Sequence, residues 1–557
     1  MSAARRYPSQ PATGQEKSVI QQLLAEAVSK SLAAAGVEIA PADVRLERPA
    51  RAEHGDWSTN AALAAAKPAG ADPRALARAL ADSPEVAAVP HVVAVEVAGP
   101  GFVNFTLAPT WLHDVLRRVV ADGVDGYARP GLGDGETVSV EFVSANPTGP
   151  LHAGGGRWGA YGDSLVRLFR RCGYDVEAEY YVNDRGAQVD LFARSLLARR
   201  AGEDPPADGY HGAYVADWAA EMPAELTETD AVALWGTDRA LAEAAESLGA
   251  LDVSFDRWQR ESELVDAGAV DDVLAQLRAA GDCVYEADGA TWLRTTDHGD
   301  ADDRVLVKSD GESTYFLPDI AYHHDKLSRA DHVVDVLGAD HHGYVARMAA
   351  AMTLLGHPPD SYEAVIGQHV TLVRDGAEVP LSKRTGTMVE VRELVEAVGA
   401  DVARLAYLLA SIDTRQTIDI DLLTRSASEN PVFYVQYAHA RIASIEREAA
   451  RRSVVRPELA ATELAGLTEP RELAVLRCLE ELPEVVETAL ADRAPHKVAT
   501  WVRELAAAFH GFYHDCPILR SDVPEGLRDA RLWLTEAARI GLAVGLDLLG
   551  VSAPEEM

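Results

Sequence analysis

The stretch PTGPLHAGGGRWGAYGDSLVRLF, residues 147–169, runs from a proline- and glycine-rich loop into apolar residues at helical spacing, and His152 stands at the junction. Glycine lets a ligand approach the backbone closely, and the first turn of a helix offers peptide N–H groups and a positive dipole end. Phosphate is the ligand such a terminus suits. His152 could donate to a phosphate oxygen without a permanent charge, with the amides of Gly154, Gly155 and Gly156 unobstructed beside it and Arg157 following closely. Taken alone, a glycine-rich start to a helix with one histidine is more often an ordinary tight turn.

Such a site needs strands and helices to hold it. TVSVEFVSA, just before the loop, reads as a strand, while DVEAEYYVND and ADHVVDVLGADHHGYVARMAAAMTLLG each read as a strand leading into a helix. This alternation predicts an α/β fold, a doubly wound parallel sheet of Rossmann-like type over 130–385, with a nucleotide site at the strand ends. The Ala- and acid-rich stretch at about 190–290 lacks the alternation and reads as a helical insertion. Upstream, EKSVIQQLLAEAVSKSLAAAGVEI has helical periodicity, and HVVAVEVAGPGFVNFTLAPTWLHDVLRRVV reads as strand, turn, strand and helix, which together suggest a small α/β domain over 1–115. Downstream, connecting helices over 386–425 lead to several long amphipathic patterns that predict an all-α helical bundle over 426–557.

Composition agrees with several domains: the chain has 557 residues, 48% of them hydrophobic, more than one core usually organises. No apolar run reaches the roughly 18 residues of a membrane span, and the N-terminus lacks the apolar stretch of a secretory signal, so the cytoplasm is the expected location. Cys172, Cys283, Cys478 and Cys516 lie far apart with no C-x-x-C pairing, which argues against a zinc knuckle and a disulfide framework. With 87 acidic and 52 basic side chains the formal charge is −35. That charge repels nucleic acid at long range, so a polyanionic partner must be received by a local basic patch.

The stretch VEFVSANPTGPLHAGGGRWGAYGDSLVRLFRRCGYDVEAEYYVND resembles the signature region of class I aminoacyl-tRNA synthetases, specifically the arginyl-tRNA synthetases of bacterial type. The resemblance covers essentially the whole chain. EHGDWSTNAALAAAK and AGPGFVNFTL look like that family's additional N-terminal domain, which contacts the tRNA elbow. DGATWLRTTDHGDADDRVLVKSDGESTYFLPDIAYHHDKLSRADHVVDVLGADHHGY resembles the second half of its catalytic domain, and ENPVFYVQYAHARI the start of its anticodon-binding domain. Both ATP-binding motifs depart from the pattern. The His-x-Gly-His tetrad reads His152-Ala153-Gly154-Gly155, without its second histidine, and the Lys-Met-Ser-Lys-Arg loop reads Pro380-Leu381-Ser382-Lys383-Arg384, without its first lysine.

The resemblance implies an ATP-dependent arginine–tRNA ligase whose partners are L-arginine, tRNA(Arg) and ATP with Mg²⁺, with no tightly bound cofactor; the residues themselves give no metal site and no membrane association, and a monomer is the default expectation. His152, Lys383 and Arg384 are its implied catalytic residues. Gly154, Gly155, Gly156, Asp340, His341 and Ser382 join His152 and Lys383 around ATP. Glu141, Ser144, Asn146, Tyr315 and Asp319 are implied for arginine, since a carboxylate is the planar match for a guanidinium. Asp319 has an ordinary reading as a helix N-cap, and Glu141 as the partner of a surface arginine. His341 and His342 are adjacent, a spacing that rarely converges on one ion. Tyr434, Tyr437 and Arg441 fall on one helix face, and Trp501 lies near Phe509 and Tyr513. These groups could pack a core or meet unpaired tRNA bases. Two other readings remain: a diverged paralog with weak or no aminoacylation that binds tRNA, serves a specialised pathway or resists an inhibitor, and a small-molecule ATP-dependent ligase that never meets tRNA.

Overall fold

The computed structural model describes residues 18–557 apart from 50, 342, 380, 383–386 and 426–429. At the N-terminal end, the helix Val19–Ala34 starts on a capping box between Ser18 and Gln21 and packs on the helices Pro73–Ala81 and Pro84–Ala87, which lie against a three-stranded antiparallel sheet. That sheet comprises β1 (Trp57–Thr59), β2 (Val92–Ala98) and β3 (Phe102–Leu107), in the order β1-β3-β2. The helix Thr110–Gly126 then leads away and packs on the C-terminal bundle.

The central sheet is built from β4 (Thr137–Glu141), β5 (Asp175–Val182), β6 (Arg257–Arg260), β10 (His332–Gly338) and β11 (Tyr362–Gly367). Its order is β11-β10-β4-β5-β6, and every pairing is parallel. Strands are added outward from β4 toward β6 and then, on the other side, from β10 to β11. The direction therefore reverses between β4 and β10, leaving a crevice beyond their carboxyl ends where ligands of doubly wound sheets bind. A second small sheet, β7 (Val284–Ala287), β8 (Ala290–Leu293) and β9 (Arg304–Val307), is antiparallel and packs by the helix Phe316–Arg329.

The central strands are largely apolar, as strands covered on both faces must be, with a row of acids across them. Register aligns Asp335 of β10 with Glu141 of β4, Glu141 with Glu179 of β5, and Glu179 with Arg257 of β6. Aligned positions share a face, so three buried carboxylates stand side by side under the helix Phe316–Arg329.

The stretch 190–290 is not wholly helical. It contains the helices Ala213–Glu221 and Thr229–Ala250, but also β6, which forms an edge of the central sheet, and β7. RWQR carries no apolar alternation, because this four-residue edge strand offers one large apolar side chain, Trp258, which stacks on Tyr180 with ring centroids 4.3 Å apart.

The bundle consists of the helices Pro431–Arg451, Pro470–Ala491, His496–Asp515 and Glu525–Leu548. Two arginines join it and its stem to the sheet domain. Arg404 donates to the carbonyls of Leu549, Leu251 and Asp252 and pairs with Asp163, while Arg493 bonds Glu363 of β11 at 3.0 Å. No described helix is long and apolar enough to cross a membrane.

Candidate active site

Beyond the end of β4 the backbone turns sharply. Val143 and Ser144 have φ of 69° and 37°, conformations that non-glycine residues keep only where their surroundings impose them. The Tyr180 hydroxyl bonds both N–H and carbonyl of Ala145 at 3.0 Å, and Ser144 Oγ accepts from the Tyr181 N–H at 3.0 Å. Further on, Gly149 has φ +148° and passes over Tyr214, whose ring would lie 2.6 Å from any Cβ placed there. The loop that ends at His152 is thus held over the crevice from several sides.

His152 is the N-cap of the helix Ala153–Arg171, and its Nδ1 accepts from the Gly155 N–H at 3.0 Å. In the neutral ring the proton then sits on Nε2, which makes that nitrogen the donor. The amides beside it are not unobstructed: Gly155 N–H is held by His152, and Ala153 N–H donates to Val389 O at 2.8 Å. Arg157 does not turn to the crevice either. It is 1% exposed and donates to the carbonyls of Gln368, Ser411 and Thr414, where burial lowers its pKa, so it ties the helix to the stem. At Gly155 there is room, since a Cβ would meet only His152 Cε1, at 4.0 Å.

The segment that follows residues 380–386 is clipped to this helix start. Leu381–Ser382 pairs antiparallel with Thr387–Met388, and Val391 N–H donates to Leu151 O at 2.9 Å while Val389 O receives Ala153. Lys383 and Arg384 lie outside the described residues, as do the side chains of Ser382 and Asp340. His341 is exposed at the turn after β10. His342 lies outside the described residues.

Across the crevice, the helix Phe316–Arg329 presents Asp319, His323 and Lys326 at i, i+4 and i+7, on one face. Lys326 is fully buried, with Nζ 2.6 Å from Glu141 Oε2 and 2.7 Å from Asp335 Oδ1. His323 Nε2 lies 2.7 Å from Asp335 Oδ2, and its Nδ1 lies 2.7 Å from the Asp319 carbonyl oxygen. Its two ring nitrogens thus bridge the Asp335 carboxylate and the Asp319 carbonyl. Burial opposes charge on Asp335, yet Lys326 and His323 hold its carboxyl well below the usual range, and the two carboxylates hold the Lys326 ammonium above its own. Glu141, His323 and Asp335 bring ligand-type atoms within 4.8 Å of one another, but the cation between the carboxylates is Lys326.

Asp319 lies in the first turn of its helix, and Tyr315 is the N-cap residue, so Asp319 is not the cap. Burial pushes its carboxyl up to about 6, with Glu261 and Glu141 adding to the rise, while His323 and a hydrogen bond from Tyr344 oppose it. Glu141 is no surface partner either, being 7% exposed and paired inward with Lys326. Asn146 is exposed on the loop and donates to Gln188 Oε1 at 3.0 Å. Tyr315 is 78% exposed and stands apart from the acids. The structure thus brings together Glu141 and Asp319 and adds His323, Lys326, Asp335 and Tyr344, which sequence reasoning missed. The spacing in DIAYHHDK and the lone acid in HVVDVL were the signals for them.

A 46% identity over 546 residues relates the chain to the arginine–tRNA ligase of Frankia alni, spanning 95% of this chain and 98% of that protein. The chain belongs to the arginyl-tRNA synthetase family. A second relative, the arginine–tRNA ligase of Kineococcus radiotolerans, is 46% identical over 552 residues, 96% of this chain and 98% of its own length. Family models match in chain order: the arginyl-tRNA synthetase N-terminal domain over 18–107, the catalytic domain of class I (R) synthetases over 236–437, and the DALR anticodon-binding domain over 435–557. The fold is that of the Thermus thermophilus arginyl-tRNA synthetase, with a TM-score of 0.74 at 24% identity over 96% of this chain and all of the other.

In the DALR domain, Arg441 lies between the rings of Tyr437 and Tyr513, 4.3 and 4.6 Å from their centroids, and donates to Tyr437 Oη at 2.8 Å. These residues line a groove of about 880 Å³ with Arg447, Arg451 and Arg452. Tyr434 packs on His510 with ring centroids 4.6 Å apart. Trp501 is in the core instead: it is 2% exposed and donates from Nε1 to Cys478 O at 2.8 Å, so it presents no face to a nucleic acid.

Proposed function

We propose that the chain is an arginine–tRNA ligase that joins arginine to AMP with release of pyrophosphate and then transfers it to the terminal adenosine of tRNA(Arg). The observation that carries this reading is the pairing, across one crevice, of two carboxylates with a histidine-capped helix start. The relatives' activity and the three successive family domains support it. The diverged, inactive alternative gains no support from 46% identity along nearly the whole chain.

In the first step the arginine carboxylate attacks the α-phosphorus of ATP. A bond forms from carboxylate oxygen to phosphorus, and the bond to pyrophosphate breaks. The nucleophile is already ionised, so no general base is required, and the protein's work is alignment and charge neutralisation. Glu141 and Asp319 take the guanidinium, and Ser144, Asn146 and the exposed Tyr315 are assigned to arginine by the family resemblance alone. His152 donates from Nε2 to a phosphate oxygen, and Gly154 and Gly155 keep the helix start narrow enough for ATP to approach, while Gly156, also an expected ATP residue, makes room for Tyr407, whose ring would lie 3.0 Å from a Cβ there. Asp340, His341 and Ser382 contact the nucleotide, while Lys383 and Arg384 neutralise the departing pyrophosphate. ATP enters with Mg²⁺. Tyr434, Tyr437 and Arg441 receive the anticodon, and the enzyme works as a cytoplasmic monomer. The domains divide at 1–115, 130–385, 386–425 and 426–557.

The test is purified protein with arginine, ATP and tRNA(Arg). Charging of the tRNA, and pyrophosphate exchange that depends on arginine, are expected. Absence of both contradicts the proposal.

A further inference from the structure

We propose that Lys326 is a positioning residue for arginine recognition: its buried ammonium fixes the direction and the negative charge of the Glu141 carboxylate. The inference rests on the reading that Glu141 and Asp319 grip the guanidinium.

Three carboxylates of neighbouring strands, Asp335, Glu141 and Glu179, share one face of the sheet. One helix supplies Lys326, His323 and Arg329 to them, and Arg257 of β6 lies 3.9 Å from Glu179 Oε1. Arg329 donates to Glu179 Oε2 at 2.9 Å, and His323 meets Asp335 at 2.7 Å. Among the described residues, Lys326 is the one cation in contact with Glu141. It binds Oε2 and leaves Oε1 without a cation. A carboxylate pulled from one oxygen in this way has a set orientation, which bidentate capture of a guanidinium needs.

The same contact sets charge. Around Lys326 stand Glu141 from β4, Asp335 from β10 and Glu179 from β5. Its own helix contributes His323 and the ring of Tyr322, whose centroid is 4.4 Å from Nζ. Tyr181 of β5, Tyr362 of β11 and Asp319 and Tyr322 of the helix face Glu141. Without the ammonium, two buried carboxylates within 4.8 Å of one another retain only the histidine, and like charges that close do not both stay ionised. A proton shared by the pair takes away the anion that arginine requires.

The experiment is arginine KM and kcat against pH, from 6 to 8.5, for the wild type, K326M and K326M/D335N, with pyrophosphate exchange in the presence of tRNA. For K326M we expect KM raised about tenfold or more at pH 7, falling as pH rises and the shared proton leaves, with a smaller change in kcat. Removing the second acid in K326M/D335N is expected to recover at least about a third of the KM loss, because Glu141 no longer competes for ionisation. K326Q serves in the same profiles if the methionine variant does not fold. A KM within twofold of wild type and flat with pH, or a double variant no better than the single one, overturns the role of Lys326. Wild-type protein that neither binds nor activates arginine overturns the underlying reading instead, so the two failures are distinct.

Discussion

At His152, one ring serves two roles that substitution can separate. Its Nδ1 caps the helix through Gly155, and its Nε2 is the donor assigned to phosphate. Asparagine caps a helix well but does not reach where the imidazole does, so H152N is expected to retain the wild-type Tm and lose about 10²-fold in kcat, whereas H152A also loses about 1 kcal/mol of stability. Thermal melts beside exchange kinetics check both. Asp319 gives the second prediction. Its folded value, pushed up to about 6, is above the ordinary carboxyl value. The native state therefore holds the proton to higher pH than the unfolded chain, so a stability penalty develops as pH rises from about 4 to about 6 and is complete above that. D319N is expected to melt at or above the wild-type temperature at pH 7.5, with the difference vanishing near pH 4, while its arginine KM rises about 10- to 100-fold. In the wild type, arginine KM is expected to climb as pH falls through about 6.

The elements matter through what they join. The clip between Leu151–Ala153 and Val389–Val391 ties the helix start at His152, the proposed phosphate site, to the paired strands Leu381–Ser382 and Thr387–Met388. Val391 is the first residue of the helix Val391–Val398, a position where proline is tolerated, and its N–H goes to Leu151 rather than into the helix. V391P is thus expected to leave helix content unchanged by circular dichroism and to lower kcat about tenfold or more through misalignment, with little effect on arginine KM. Strong patterns made β4, β5 and β10 legible in the sequence, since buried parallel strands show as apolar runs followed by helical spacing. β6 was illegible because four residues at a sheet edge bury no continuous apolar face. Glu141 and Asp319 stood out through motif resemblance. Lys326 did not, because its meaning comes from Asp335 and Glu141 on strands far away in the chain, and Arg157 misled because a basic residue near a phosphate loop says nothing of its direction.

Across the whole molecule the chain carries −35, and the groove of the C-terminal bundle sets Arg441, Arg447, Arg451 and Arg452 around Tyr437 and Tyr513, with Glu448 and Glu556 pairing to three of them. Base stacking on such groups contributes about 1–3 kcal/mol, so R441A is expected to raise the KM for tRNA about tenfold while arginine KM in the charging assay stays within twofold. In the proposed function the sheet crevice sets amino-acid choice, and the bundle sets tRNA choice. The most direct test of the account is tRNA charging with arginine beside citrulline, which keeps the shape of the side chain but replaces the cationic guanidinium with a neutral urea. The acids Glu141 and Asp319 predict arginyl-tRNA formation with a preference of about 10⁴ over citrulline. Charging of both at similar rates, or of neither, would contradict it.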